Sequence, residues 1–250
     1  MLRILVGSLF TAGAVLAQPA APPPSFDVAS IKLSPPGREG GNSPFGDNIQ
    51  ATPGSLTMRR ITLKAGIAWA YHVFEYQVNG PEWIGSERYD IAAKAASPTT
   101  TAELRVMLQA LLADRFQLTL HRQTKEMQAF VLTVGKNGPK FHESKTEGDS
   151  SIQPDPKAMS ISVQRVPIAQ MIDPLARMFQ IPVIDMTGLK GRYDVTMNIA
   201  KYIPQNGEKM DPLSIIQTGL QEELGLKLEA RKMPVDLLIV DHAEKGPVEN

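Results

Sequence analysis

The stretches "SERYDIAAKA" (Ser86–Ala95) and "KGRYDVTMNIA" (Lys190–Ala200) share the triplet Arg-Tyr-Asp, and the reading of that triplet decides the fold. It is either a site used twice or an element built twice. In the first stretch Tyr89, Ile91, Ala93 and Ala95 alternate with Arg88, Asp90 and Lys94; in the second Tyr193, Val195, Met197 and Ile199 hold the inward positions. That period of two belongs to a half-buried strand. Tyrosine suits the inner face, because its ring can be buried while its hydroxyl finds a partner. Arg and Asp two residues apart on the outer face can pair loosely, for about 0–1 kcal/mol. Arg-Tyr-Asp therefore reads as the start of a strand, and its recurrence points to a repeated unit.

The surrounding sequence repeats in step. Ser55–Phe74 set against Ser160–Phe179 at an offset of 105 pairs Leu56 with Ile161, Met58 with Val163, Ile61 with Val166, Ile67 with Ile172 and Phe74 with Phe179. The triplets follow at 104, and Leu118 with Leu226 and Gly138-Pro139 with Gly246-Pro247 at 108. A shared order of elements with so few gaps is the mark of an internal repeat. Each copy opens with an alternating strand and continues with a helix, carrying Ile67, Ala70, Tyr71 and Phe74, or Ile168, Met171, Ile172, Leu175 and Phe179. Pro167 suits the first turn of the second of these helices, whereas Pro174 predicts a kink or a restart after Asp173. After the Arg-Tyr-Asp strand comes a second helix. Thr100 and Glu103 form a capping box ahead of Leu104, Leu108 and Leu111, while Asp211-Pro212 opens the counterpart and Gly225 closes it. A hairpin is expected last in each copy, "FQLTLHRQTKE" with "AFVLTV" and "LKLEARK" with "VDLLIVDH".

The expected fold is α+β: two tandem related halves, each strand-helix-strand-helix-hairpin, with helices packed on a mixed or antiparallel sheet. The boundaries are a signal peptide over 1–17, an N-terminal extension over 18–54, the first repeat over 55–139, a polar linker over 140–157 and the second repeat over 158–250. "SFDVASIKLS" in the extension predicts an edge strand, and the Gly/Pro-rich stretch after it a loop.

Export is read from the first residues. Arg3, an apolar run from Ile4 to Leu16, and small or aliphatic Val15 and Ala17 before Gln18 make a cleavable secretory leader, with cleavage after Ala17. The run is shorter than the roughly 20 residues that span a bilayer, and no later segment is apolar enough to do so. Cleavage removes one basic and no acidic residue, leaving 25 Lys and Arg against 26 Asp and Glu. A near-neutral chain lacks the excess of cations expected of a nucleic-acid binder. With no cysteine, disulfides, lipidation and thiol chemistry are excluded.

Catalytic signatures are absent from the sequence. His72, His121, His142 and His242 have no metal-binding spacing. "GGNSPFG" (Gly40–Gly46) has neither the nucleophile-elbow nor the phosphate-loop pattern, and its Gly40, Gly41 and Gly46 read as flexibility. Asp241, His242 and Glu244 read as a solvated strand end. The aromatic run "WAYHVFEYQVNGPEW" (Trp69–Trp83) supplies Tyr76 and Trp83 as candidate contact residues, with Trp83 the one expected to be exposed in its turn. Arg88, Asp90, Arg192 and Asp194 join them as candidate binding residues. No catalytic residue, metal or cofactor is expected.

"FDVASIKLS", "AYHVFEYQVNGPEW", "RYDIAAKA", "MLQALLADRFQLTLHRQTKE", "GKNGPK", "VIDMTGLKGRYDVT" and "LQEELGLKLEARKMPVDLLIVDHAEK" together resemble the Solibacter-type family of exported proteins of unknown function, common in soil bacteria. The resemblance covers nearly all of the mature chain. It implies export without an established activity, and it carries no catalytic residue over. Relatives that resemble fusions to a membrane metallopeptidase of the antibiotic-sensor type imply an extracytoplasmic sensing or binding role. The order of elements in each half is also similar to small domains at the periplasmic ends of secretins and outer-membrane receptors, a likeness of fold and not of function.

The expected function is thus a non-enzymatic binding module, monomeric, in the periplasm or outside the cell, whose partner is a protein or an envelope component. The alternative is a secreted hydrolase with a serine or carboxylate site between the halves, drawing on Glu82, Asp90, Asp185 and Asp194. Converging acids in a groove favour the enzyme; an exposed apolar patch or an open strand edge favours binding.

Overall fold

Capping and alternation set most element boundaries in the computed structural model, which describes residues 24–35, 48–203 and 211–248. The leader and the Gly40–Gly46 stretch lie outside these residues. In chain order the strands and α-helices are β1 (Val28–Leu33), β2 (Ile49–Thr52), β3 (Ser55–Thr62), α1 (Leu63–Tyr71), β4 (Val78–Asn79), β5 (Arg88–Lys94), α2 (Thr101–Phe116) and β6 (Thr119–Val134). They continue with β7 (His142–Glu143), β8 (Ser151–Asp155), β9 (Ser160–Val166), α3 (Ile168–Phe179), β10 (Val183–Asp185), β11 (Tyr193–Asn198), α4 (Pro212–Gly219) and β12 (Leu226–His242). The Thr100 hydroxyl accepts the Glu103 N–H at 3.3 Å while the Glu103 carboxylate takes the Thr100 N–H at 2.9 Å, closing the capping box at the head of α2. α3 runs through Pro174 as one helix, with the carbonyl of Gln170 deprived of its usual donor four residues on.

The strands form three sheets. The first, in order β1-β5-β3-β2, and the third, in order β7-β11-β9-β8, are antiparallel throughout. β1 is the edge strand expected of the extension, and the stretch read as a linker contributes β7 and β8. The second sheet, in order β10-β6-β12-β4, has an antiparallel centre and one parallel strand at each edge.

The two terminal hairpins are replaced by one shared ribbon. β6 and β12 stay extended and pair with each other, from Leu226 opposite Val134 to His242 opposite Thr119. Met127-Gln128, where the first hairpin would turn, offers no residue that favours the positive φ of a tight turn. Backbone groups on a continuous strand need a partner of equal length, which the other strand provides.

The ribbon also closes both cores. Tyr89, Leu108, Leu112 and Phe116 of the first are covered by Leu118 and, from the far end of β12, by Leu238 and Val240. Val163, Ile172, Tyr193 and Leu220 of the second meet Leu226 and Leu228 and, from the far end of β6, Phe130 and Leu132. The short strands cross in the same sense: Val78 lies opposite Leu238 and Val183 opposite Phe130. Each long strand of the ribbon therefore packs against both cores.

α4 passes into a π turn over Leu220–Leu224 and stops at Gly225, whose φ is 66°. A Cβ there would collide with the Gly138 carbonyl, whereas α2 ends at Gln117 with a φ of 49° and a side chain in place. Gly225→Ala is expected to lose more than the ~1–2 kcal/mol of the left-handed conformation alone, and Gln117→Gly to be neutral or slightly stabilising. Urea midpoints of the two variants test this; an unchanged midpoint for Gly225→Ala would refute it.

Candidate binding face

The Arg and Asp of each triplet hold a bulge in the neighbouring strand. Between Met58 and Ile61 the register of β3 against β5 slips, leaving Arg59 and Arg60 beside Asp90. Arg60 takes a φ of 52°; Asp90 Oδ1 accepts its backbone N–H at 2.7 Å, and the Arg88 guanidinium donates to its carbonyl at 3.0 Å. In the third sheet Arg165 has a φ of 55°, its N–H donates to Asp194 Oδ1 at 2.8 Å, and Arg192 reaches its carbonyl at 3.5 Å. In place of the loose Arg–Asp pair anticipated within the triplet, both side chains clamp a strained residue one strand away. Asp90→Ala strands that N–H and is expected to lose about 1–3 kcal/mol, while Asp90→Asn keeps an acceptor and loses less. Chemical denaturation of the pair is the check, and equal losses would contradict the clamp.

The bulge also shapes the open side of the first sheet. Helices α1 and α2 contribute to the core that the inner side faces, and among the described residues the outer side carries Lys32, Arg59, Arg60, Arg88 and Lys94 against one acid, Asp90. A shallow concavity of about 540 Å³ runs over it. Its floor is the row Ser30, Ala92 and Thr57, cross-strand neighbours on β1, β5 and β3. Arg60 is tied down by donating to the Pro35 carbonyl at 2.9 Å, and Arg88 by its bond to the bulge. Lys32, Arg59 and Lys94 are exposed, and their side chains bond to no described residue.

The third sheet is different in charge. Its outer side presents Ser160, Ser162, Gln164, Thr196 and Asn198, with the Ser162 and Thr196 hydroxyls bonded at 3.1 Å. Arg165 and Arg192 are balanced by Asp155 and Asp194. A second concavity, of about 610 Å³, lies at the β7–β11 edge and mixes Lys140, Lys145 and His142 with Glu143, Asp194 and Glu223. Hydrogen bonds from Lys201 and Tyr202 hold the Glu223 carboxyl below its usual range. Asp90 and Asp194 line different concavities, Glu82 lines neither, and Asp185 is occupied by the N–H and hydroxyl of Thr187 at 2.9 and 2.7 Å.

The aromatic candidates lie inside the fold's seams. Trp83, expected to be exposed, is half-buried against the first core. Tyr76 stacks on Phe74 with centroids 5.3 Å apart, and the Arg177 guanidinium of α3 sits 5.7 Å from the Phe74 centroid. Burial and, second, the Asp173 carboxylate push the Tyr76 phenol up to about 12. Its contribution to stability is whole below pH ~10, where unfolded tyrosine is still protonated, and is lost as pH rises through about 12. Tyr76→Phe should flatten that alkaline loss in urea midpoints taken across this window; Tyr71 and Tyr89 are shifted the same way by burial and keep part of it.

Among the described residues no group of three or more His, Asp or Glu is placed to hold a metal ion. The strand-end acid Asp241 accepts from His121 Nδ1 at 2.8 Å. Lys32, Arg59 and Lys94 were not singled out in the sequence, although each occupies a readable outer position. What joins them is the strand order β1-β5-β3, which no local spacing records.

A family described as "Protein of unknown function (DUF3738)" matches residues 64–243. No curated protein and no solved structure matches the chain.

Proposed function

This chain belongs to the family of unknown function DUF3738, and from its own surface we propose that it is an exported binding protein, acting in the periplasm or outside the cell, that meets an envelope component through the outer side of its first sheet. The observation that carries the reading is a sheet side on which no helix of the described residues is layered, with three exposed cations that bond to no described residue. Export is supported by Arg3, the apolar run Ile4–Leu16 and Ala17. No described helix is long and apolar enough to cross a membrane.

The two halves descend, in this reading, from one repeated unit. Support comes from the matched bulges at Arg60 and Arg165, and from the parallel pairs Val78–Leu238 and Val183–Phe130, which are related by the same offsets of 105 and 108 as the sequence repeat. The first copy then specialised, for its outer side is basic where the second is neutral.

Immobilised mature protein, residues 18–250, incubated with a cell-envelope fraction tests the binding role. Retention should saturate and be lost on joint Arg59→Glu and Lys94→Glu substitution, but survive Gln164→Glu on the third sheet. Equal retention by the charge-reversed protein would sink the reading. Export is tested by fusing residues 1–25 to a reporter active only outside the cytoplasm, with Gln18 expected as the new N-terminus by mass spectrometry.

A further inference from the structure

Resting on that binding role, we propose that the component met by this side of the sheet is an acidic polysaccharide, a glycan chain bearing carboxylates on its sugar rings. Lys32 and Arg59 stand on strands either side of β5, about 10 Å apart by two strand spacings, and Lys94 lies four residues, about 13 Å, beyond Asp90 along β5. Lys32 and Arg59 line the trough, Lys94 stands past its end on β5, and all three lie on the sheet's side, away from its edge. The floor between them is made of one small residue from each strand, Ser30, Ala92 and Thr57. It leaves room for a sugar ring lying flat and offers two hydroxyls to hydrogen-bond it.

Charge complementarity calls for an anion, since among the described residues Asp90 alone opposes five basic side chains and its carboxylate is already engaged by the Arg60 N–H. The form of the trough selects among anions. A bilayer surface calls for large apolar side chains among the cations, and Val28 is the single exposed one on this side among the described residues. A single-stranded nucleic acid on a sheet stacks its bases on aromatic rings, and none of the described residues on this side is aromatic. An extended peptide joins a strand edge, where these three cations do not point.

The test titrates residues 18–250 with polygalacturonate, with dextran of matched length, with phosphatidylglycerol vesicles and with oligo-deoxythymidine. Polygalacturonate is expected to bind saturably and at least tenfold tighter than each of the others. Affinity should fall as ionic strength rises from about 0.05 to 0.5 M, because exposed charges are screened. The combined Lys32→Gln, Arg59→Gln and Lys94→Gln protein should lose at least tenfold with its thermal unfolding unchanged. Lys94→Gln alone should lose part of the affinity, and a Lys125→Gln, Lys232→Gln control on the ribbon none. Equal binding by the triple variant, or tighter binding of vesicles or DNA, overturns the proposal. If polygalacturonate fails to bind while the envelope fraction is still retained by the wild type and not by the triple variant, the glycan falls and the binding role stands; loss of both removes both.

Discussion

Residues 18–139 produced without the remainder of the chain should fail to fold, and adding residues 140–250 should restore one cooperative transition. The first core borrows Leu238 and Val240 from β12, and β4 has its parallel partner there. The cut would also strip the far end of β6, where Ala129, Phe130, Val131 and Leu132 are all at most 5% exposed. Burying side chains of the size of Phe130, Val131 and Leu132 stabilises by about 1.5–3 kcal/mol each, so the exposed set rivals the ~5–15 kcal/mol that keeps a whole domain folded. Near-ultraviolet circular dichroism and urea titration of the fragment, alone and mixed, decide the matter. A cooperative transition from residues 18–139 alone would mean that the shared ribbon is dispensable to the first half.

Tyr89→Ala should be the most damaging single substitution among the Arg-Tyr-Asp residues. The Tyr89 residue is 0% exposed, its ring meets Phe116 edge-on at 5.1 Å, and its hydroxyl donates to the Lys245 carbonyl at 2.7 Å. Removing a buried ring costs about 3–5 kcal/mol, or a fall in Tm of roughly 10 °C for a chain of this size. Tyr89→Phe keeps the ring and should cost about 1 kcal/mol through the lost hydrogen bond. The counterpart Tyr193 meets Phe141 edge-on at 5.2 Å, and its hydroxyl accepts from Gly191 only two residues away. Its Phe variant should be milder, because no distant segment is released. Scanning calorimetry of the three variants tests the order, and a Tyr89→Ala protein that melts like wild type would show that the site repacks around the void.

Much of the fold is legible where the cause is local. The period of two in Tyr89, Ile91 and Ala93 predicts their burial, and Thr100 with Glu103 and Asp211 with Pro212 mark where α2 and α4 begin. "SFDVASIKLS" reads as the edge strand it forms. Pro174 misleads, because one missing donor is a small loss to a helix whose Ile168, Ile172 and Leu175 are buried. The hairpins mislead for a broader reason. "FQLTLHRQTKE" and "AFVLTV" are each good strands, and only the absence of turn residues between them hints that they are one.

The candidate face divides the same way. Each of Lys32, Arg59 and Lys94 can be placed on an outer position from its neighbours' alternation, but a face exists only once β5 lies between β1 and β3. Arg-Tyr-Asp likewise announces a strand at both of its occurrences, while the use of its Arg and Asp to clamp Arg60 and Arg165 depends on a residue 28 to 30 positions away at the first. The sequence by itself determined the helices, the core strands and their inner and outer sides, because periodicity, capping and proline act over a few residues. Only the tertiary structure decided that β6 and β12 pair with each other, that this ribbon closes both cores, and that three separate cations share one sheet face. Those outcomes follow from satisfying backbone hydrogen bonds and burying apolar surface across the whole chain at once, and neither condition can be evaluated within a local window.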